Sequence, residues 1–254
     1  MHQTKFIGHK IKDFAQLDST NQYALELISK SNPIEGTVIS TSFQYKGRGQ
    51  IGRSWHSGQN ENTTLSVILK PDFLEIRNQY YLNMALAVSI RRLIASYIPE
   101  KVTIKWPNDI YVGTSKIAGL LIQNVLMGNK YNAAVLGIGI NVNQKIFPKE
   151  IPNPCSIFLE TGLQMDLKIF NQHLYFLLEE QYLKLKKGFF KSIHLEYLSH
   201  LYLKNKPSRF KLKNEHQFVG IIRSVNGLGK LELEIENGSI KTYNFNELKY
   251  VLQE

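Results

Sequence analysis

The chain has 254 residues, 43% hydrophobic and 20% charged, which leaves room for one large and one small domain and excludes a disordered or low-complexity chain. Its one cysteine, Cys155, excludes an internal disulfide framework, and with no signal region or apolar run of membrane-spanning length a cytoplasmic protein is expected. The net charge of +10 is uneven, with nine Lys/Arg from Lys184 to Lys213 against one acid, Glu196, a stripe read as the solvated face of a helix before a surface for nucleic acid or an acidic partner.

Residues 5–14 read as an extended lead-in. Ser19, with Gln22 three residues on, fits a capping box and starts a helix that Ser31-Asn32-Pro33 ends. Ser19 and Thr20 are read first as caps; a helix N-terminus also turns free N–H groups toward a ligand. A strand at 37–40 leads into Gln44-Tyr45-Lys46-Gly47-Arg48-Gly49-Gln50-Ile51-Gly52-Arg53-Ser54-Trp55, which sets three glycines and two arginines within seven residues. Glycines let the backbone aim N–H groups at an anion, and guanidinium forks suit carboxylate and phosphate. A solvated Gly-rich loop is the alternative. A buried strand at 63–69 and a helix at 79–98 follow, with Arg91 and Arg92 on its wet side.

Next comes a meander. Strands at 102–105 and 109–112 are separated by Trp106-Pro107-Asn108, and strands at 116–126 and 131–141 follow the tight turns Gly113-Thr114 and Gly128-Asn129. These turns set Lys116 opposite Tyr111 on one side and opposite Asn141 on the other. A bulge would break that register. A solvated strand-end lysine is the ordinary reading of Lys116, but the apolar run Ile117-Ala118-Gly119-Leu120-Leu121-Ile122 implies a covered strand. Pro148, Pro152 and Pro154 mark a loop at 142–156, and Cys155 within it has no His or Asp nearby in sequence and is not read as a nucleophile. Helices are expected at 166–187 and 189–202. Short strands at 209–213, 218–225, 231–235 and 240–245, with turns at Asn226-Gly227 and Asn237-Gly238, suggest a small barrel of the SH3-like kind. The expected domains are residues 1–204 and 205–254.

With these segments in place the chain resembles the biotin protein ligases. The resemblance rests on Asp18-Ser19-Thr20-Asn21, the Gln44 to Trp55 loop, Lys105-Trp106-Pro107-Asn108-Asp109, Lys116-Ile117-Ala118-Gly119 and Gly137-Ile138-Gly139-Ile140-Asn141, in that order. It implies an α/β (α+β) catalytic domain like that of class II aminoacyl-tRNA synthetases, with a C-terminal SH3-like barrel. It also implies activation of biotin by ATP to biotinyl-5′-AMP, with Mg²⁺ required, then transfer to a lysine of a carboxylase's biotin carrier domain.

On this resemblance Ser19, Thr20, Asn21, Gln44, Arg48, Gly49, Gln50, Lys116 and Gly119 would bind biotin. Arg48, Arg53, Trp55, Lys105, Asn108, Lys116 and Asn141 would bind ATP and the adenylate. Lys116, Arg48, Arg53 and Asp109 would be catalytic, because adenylation brings two anions together and their charge must be offset. Lys116 would touch both the biotin carboxylate and the α-phosphate. Asp109 is open to Mg²⁺, a ribose or water contact, or help in deprotonating the acceptor lysine.

Gln50 stands where some family members have Arg. Phe147 or Phe158 is left as an adenine-stacking ring, or none. No helix-turn-helix is expected before residue 18, so no DNA-binding repressor role is expected, and no membrane attachment; sheet-edge homodimers occur in the family. A lipoate or octanoate ligase or transferase of the same fold is the rival reading.

Overall fold

The structure is a computed structural model and describes residues 3–50, 52–99, 101–128 and 130–251. Strands β1 (Ile11–Phe14), β2 (Val38–Thr41), β3 (Thr63–Leu69), β4 (Val102–Lys105), β5 (Asp109–Val112), β6 (Ser115–Met127) and β7 (Lys130–Ile140) form one seven-stranded sheet in the order β1-β2-β3-β7-β6-β5-β4. Only β1 and β2 run parallel. Helices α2 (Tyr80–Ala95) and α4 (Leu167–Lys186) pack on one face, and α5 (Phe190–Ser199) packs on both of them. Helix α1 (Thr20–Lys30) covers the other face.

Strand alternation explains where the sheet stays open. On β7, Ala134, Leu136, Ile138 and Ile140 join the main core, while Ala133 and Val135 face the opposite way and pack with Ala24 of α1. Gly137 and Gly139 continue that second face, Gly137 beneath Asn21 at the very start of α1 and Gly139 beyond the helix. The bare glycine end of the sheet is the floor of the cavity described below.

Three expectations are corrected. Met127 pairs with Lys130 as the tight turn requires, but a bulge between Val125 and Leu126 moves the rest of the ladder by one residue. Asn141 therefore sits opposite Ile117 and donates to its carbonyl at 2.9 Å, and Lys116 is not its partner. The backbone of Lys116 instead meets the 153–155 segment, taking the Asn153 carbonyl at 2.8 Å and accepting from Cys155 N at 3.0 Å. The Val112 to Ser115 hairpin and the Tyr111–Lys116 pair are as expected. Asn129 of the second turn lies outside the described residues.

Second, Ser19 caps α1 by accepting from Gln22 N at 3.5 Å, but Gln22 does not reach back. Its side chain donates to Glu26 and accepts from Arg48, and the Ser19 N–H goes to Asp18. Third, Arg92 is not a wet-side residue: it forms a two-bond pair with Glu196 of α5 at 2.6 and 2.7 Å. A short helix, α3 (Ile157–Thr161), was not foreseen within the irregular stretch that follows β7.

The C-terminal strands β8 (Pro207–Leu212), β9 (Gln217–Val225), β10 (Leu231–Ile235), β11 (Ile240–Tyr243) and β12 (Leu248–Tyr250) form a five-stranded antiparallel sheet ordered β11-β10-β9-β8-β12. β12 had no sequence signal, being three residues long. The turn after β9 places its positive φ (83°) at Gly229, not Gly227. Phe210, Ile222 and Leu233 of this sheet belong to the same continuous core as the larger one. Trp106 Nε1 donates to the Gly229 carbonyl at 2.9 Å and fastens the two sheets together. Among the described residues no helix is long and apolar enough to cross a membrane.

The lead-in is anchored by one carboxylate. Glu179 of α4, 4% exposed, accepts from the N–H groups of Lys5, Phe6 and Ile7 at 2.6, 2.8 and 2.9 Å. Glu179→Ala orphans these donors and is expected to lower stability by about 3 kcal/mol, read by urea unfolding. A loss below about 1 kcal/mol would mean that the lead-in is held by packing alone.

Candidate active site

The bare end of the large sheet, the loop at 44–55 and the C-terminal sheet enclose an open cavity of about 800 Å³. That volume suits a ligand of cofactor size. It is lined by Ser19, Thr20, Asn21, Gln44, Arg48, Gly49, Gln50, Arg53, Trp55, Lys105, Asn108, Asp109, Lys116 and Gly119. Every residue that the resemblance assigned to biotin, to ATP or to catalysis is thus brought together except one. Asn141 is buried away from the cavity, and its Nδ2 donates to the Cys155 carbonyl at 2.9 Å.

One end of the cavity is a fixed hydrogen-bond lattice. Gln44 Oε1 accepts from Thr20 N at 2.7 Å and from Thr20 Oγ1 at 3.1 Å. Ser66 Oγ lies 2.7 Å from Thr20 Oγ1 and 2.6 Å from Asn21 Oδ1. Asn21 Nδ2 donates to the Leu121 carbonyl and to Gln123 Oε1. The Asn21 amide lies directly over Gly137, where a Cβ would overlap it. Polar groups fixed in this way are ready to read a polar ligand head without reorganising.

The middle of the cavity is built by Trp55. Its indole lies on Gly119 and Gly139, which are cross-strand partners. Its Nε1 is buried and, among the described residues, has no hydrogen-bond partner, so a donor waits inside the cavity wall. The loop before it folds on itself, with Gly49 N donating to Arg53 O at 2.7 Å and Trp55 N to Gly47 O at 2.9 Å. Arg48 is held outward by Gln22 at 3.3 Å.

Charge gathers at the other end. Lys116 Nζ lies 2.6 Å from Asp109 Oδ1 and 5.6 Å from the Trp55 ring. Asn108 Nδ2 donates to the Leu120 carbonyl and Leu120 N to Asn108 O, which ties this strand end to β6. Lys105 is largely buried, and desolvation is the main cause that pushes its ammonium down to about 8. Asp109 opposes that shift, while Lys116 and Arg53 add to it. Burial pushes the Cys155 thiol up to about 12, which removes it as a nucleophile.

Sequence reasoning missed several wall residues. Gly137 and Gly139 carried a signal, two glycines at spacing two on one strand face. Tyr111, Lys211, Lys213, Phe245 and Tyr250 carried none, because only tertiary packing brings them to the cavity. Phe147 and Phe158 do not line it; the Phe158 ring faces Lys145 Nζ at 4.5 Å.

The sequence profile of the biotin/lipoate A/B protein ligase family matches residues 14–141. The chain belongs to this family. The bifunctional ligase/repressor BirA of Bacillus subtilis is 29% identical over 245 residues, covering 95% of this chain and 74% of that protein. The biotin–[acetyl-CoA-carboxylase] ligase of Mycobacterium tuberculosis is 29% identical over 152 residues, covering 59% of this chain and 54% of that one. Among solved structures, the biotin protein ligase of Aquifex aeolicus in complex with biotin and ATP superposes with a TM-score of 0.80 at 25% identity, covering 96% of this chain and 100% of that one. The fold of this family member is the class II aminoacyl-tRNA-synthetase-like catalytic fold with a small C-terminal β-domain.

Gly139→Ala drives a Cβ into the Trp55 indole. It is expected to expel the ring and shift its fluorescence to the red. Unchanged emission would mean that the indole does not rest on β7.

Proposed function

We infer that this protein is a biotin protein ligase. It activates biotin with ATP to biotinyl-5′-AMP and then transfers biotin to a lysine of a biotin carrier domain. One observation carries the reading: the Lys116 ammonium, oriented by Asp109 at 2.6 Å, faces a cavity that has a fixed polar lattice at one end and the cationic side chains of Arg53 and Lys105 at the other.

The chemistry follows from that layout. The ureido ring of biotin meets Ser19, Thr20, Asn21 and Gln44, and its apolar body lies along Gly119 and Trp55. The loop Arg48-Gly49-Gln50 closes over it. A carboxylate oxygen of biotin attacks the α-phosphorus, and pyrophosphate leaves. Lys116 bridges the two anions, and Arg48, Arg53 and Lys105 offset the charge on the phosphates. Trp55 and Asn108 border the nucleotide. In the second step the acceptor amine attacks the acyl carbon and AMP leaves, so the work is positioning. The 2.6 Å bond to Lys116 supports an orienting role for Asp109 in place of a base or metal ligand.

Magnesium belongs to the substrate, as the MgATP complex. Among the described residues no three His, Cys, Asp or Glu side chains cluster to hold an ion by themselves. The acceptor is a carboxylase's carrier domain. Any sheet-edge homodimer would form along β1, because the other outer strand, β4, is covered by residues 200–202 through bonds of 2.8 and 2.9 Å to Ile104.

Labelled biotin is expected to pass to a purified carrier domain only with ATP and magnesium, and Lys116→Ala to slow that transfer by at least about 100-fold. Transfer that survives the substitution would remove Lys116 from the mechanism. Pyrophosphate release with lipoate or octanoate but not biotin would overturn the substrate. Lys105 supplies a second test. Its ammonium loses charge as pH rises through about 8, so the KM for ATP is expected to climb above that pH. Lys105→Arg, which does not titrate there, should flatten the rise.

A further inference from the structure

We propose that Tyr250, carried on the last strand of the C-terminal sheet, is a positioning residue for Lys105. Its ring closes an aromatic box that holds the Lys105 ammonium at the wall of the cavity where the ATP phosphates bind. The proposal rests on the reading of this cavity as an ATP site.

Three rings surround the ammonium. Lys105 Nζ lies 4.3 Å from the Tyr111 ring centre, 5.0 Å from that of Tyr250 and 5.8 Å from that of Tyr202. They come from separate parts of the chain: β5, β12 and the segment that follows α5. Lys105 donates to Tyr111 Oη at 3.0 Å, and among the described residues it meets no carboxylate. Its cross-strand neighbour Asp109 is engaged by Lys116 instead.

That division has a chemical consequence. Ring faces attract a cation without neutralising it, so the Lys105 charge stays available to an incoming phosphate. A carboxylate partner would compete with that phosphate for the ammonium. Among the described residues the buried Tyr250 hydroxyl has no hydrogen-bond partner, so Tyr250→Phe separates the part played by the ring from that of the hydroxyl. The ring also lies 5.3 Å from Phe210 in the core of the C-terminal sheet. The C-terminal sheet thereby sets the position of a cation that β4 supplies, and with it the use of ATP, without touching the biotin end of the cavity.

The test uses the full chain with Tyr250→Leu, Tyr250→Phe, Lys105→Met and the Leu/Met double variant, read by biotin-dependent exchange of pyrophosphate into ATP. Tyr250→Leu is expected to raise the KM for ATP about 10-fold and leave the KM for biotin within about two-fold. Tyr250→Phe should stay near the parent, and Tyr250→Leu should add nothing in the Lys105→Met background. Equal losses for ATP and biotin, a Phe variant as poor as the Leu variant, or losses that multiply in the double variant would each overturn the proposal. If the parent chain shows no biotin-dependent exchange, the functional reading fails, and the box is then judged by NMR of the reductively methylated protein. Ring currents should shift the Lys105 methyl signal upfield in the parent and in Tyr250→Phe but not in Tyr250→Leu. An unshifted parent signal would overturn the box itself.

Discussion

The ion pair between Asp109 and Lys116 is the contact on which the site depends. Both side chains are partly buried, Asp109 at 17% exposure and Lys116 at 31%, so the contact is partly shielded from water and each side chain limits where the other can point. The pair exists because the two-residue hairpin brings β5 back along β6 and a bulge between Ile110 and Tyr111 re-aims the strand. From the other side, the 153–155 segment clamps the Lys116 backbone. The ammonium is thus fixed by secondary structure on both flanks, which suits a group that must meet two anions without rearranging.

The rest of the site follows from what the sheet leaves uncovered. Helix α1 spans only part of the second face, and the glycines at 119, 137 and 139 keep the remainder low enough for Asn21 and Trp55 to lie flat on it. The same helix start supplies Ser19, Thr20 and Asn21, and Gln44 joins them through Thr20. The C-terminal sheet closes the opposite wall and shares one core with the catalytic sheet. Binding groups therefore sit on sheet and helix elements, and the segment that carries Arg48, Arg53 and Trp55 is tied to itself by the Gly49–Arg53 and Trp55–Gly47 backbone bonds.

Local chemistry made much of this legible in the sequence. Pro107, the Gly113-Thr114 turn and the apolar run of β6 fixed strands whose ends match the expectation to within a residue. The ordered motifs located all but one of the chosen cavity residues, because motif residues cluster where ligands bind. The failures share a physical cause. A bulge between Val125 and Leu126 leaves no mark in composition, yet it moved Asn141 off Lys116. Arg92 left the wet face because Glu196 on a distant helix offered it two bonds. Tyr250 joins the environment of Lys105 only after the two sheets pack, and Tyr202 only after the segment that follows α5 lies along β4. No local pattern encodes any of these three outcomes.

The measurement that tests the account most directly is a double-mutant cycle on the pair itself. Biotin-dependent exchange of pyrophosphate into ATP would be compared for the parent chain, Asp109→Asn, Lys116→Met and the double variant. If Asp109 acts by orienting Lys116, each single change should cost about 100-fold and the double should be no worse than the Lys116 variant. Losses that multiply would show two independent roles and contradict the account.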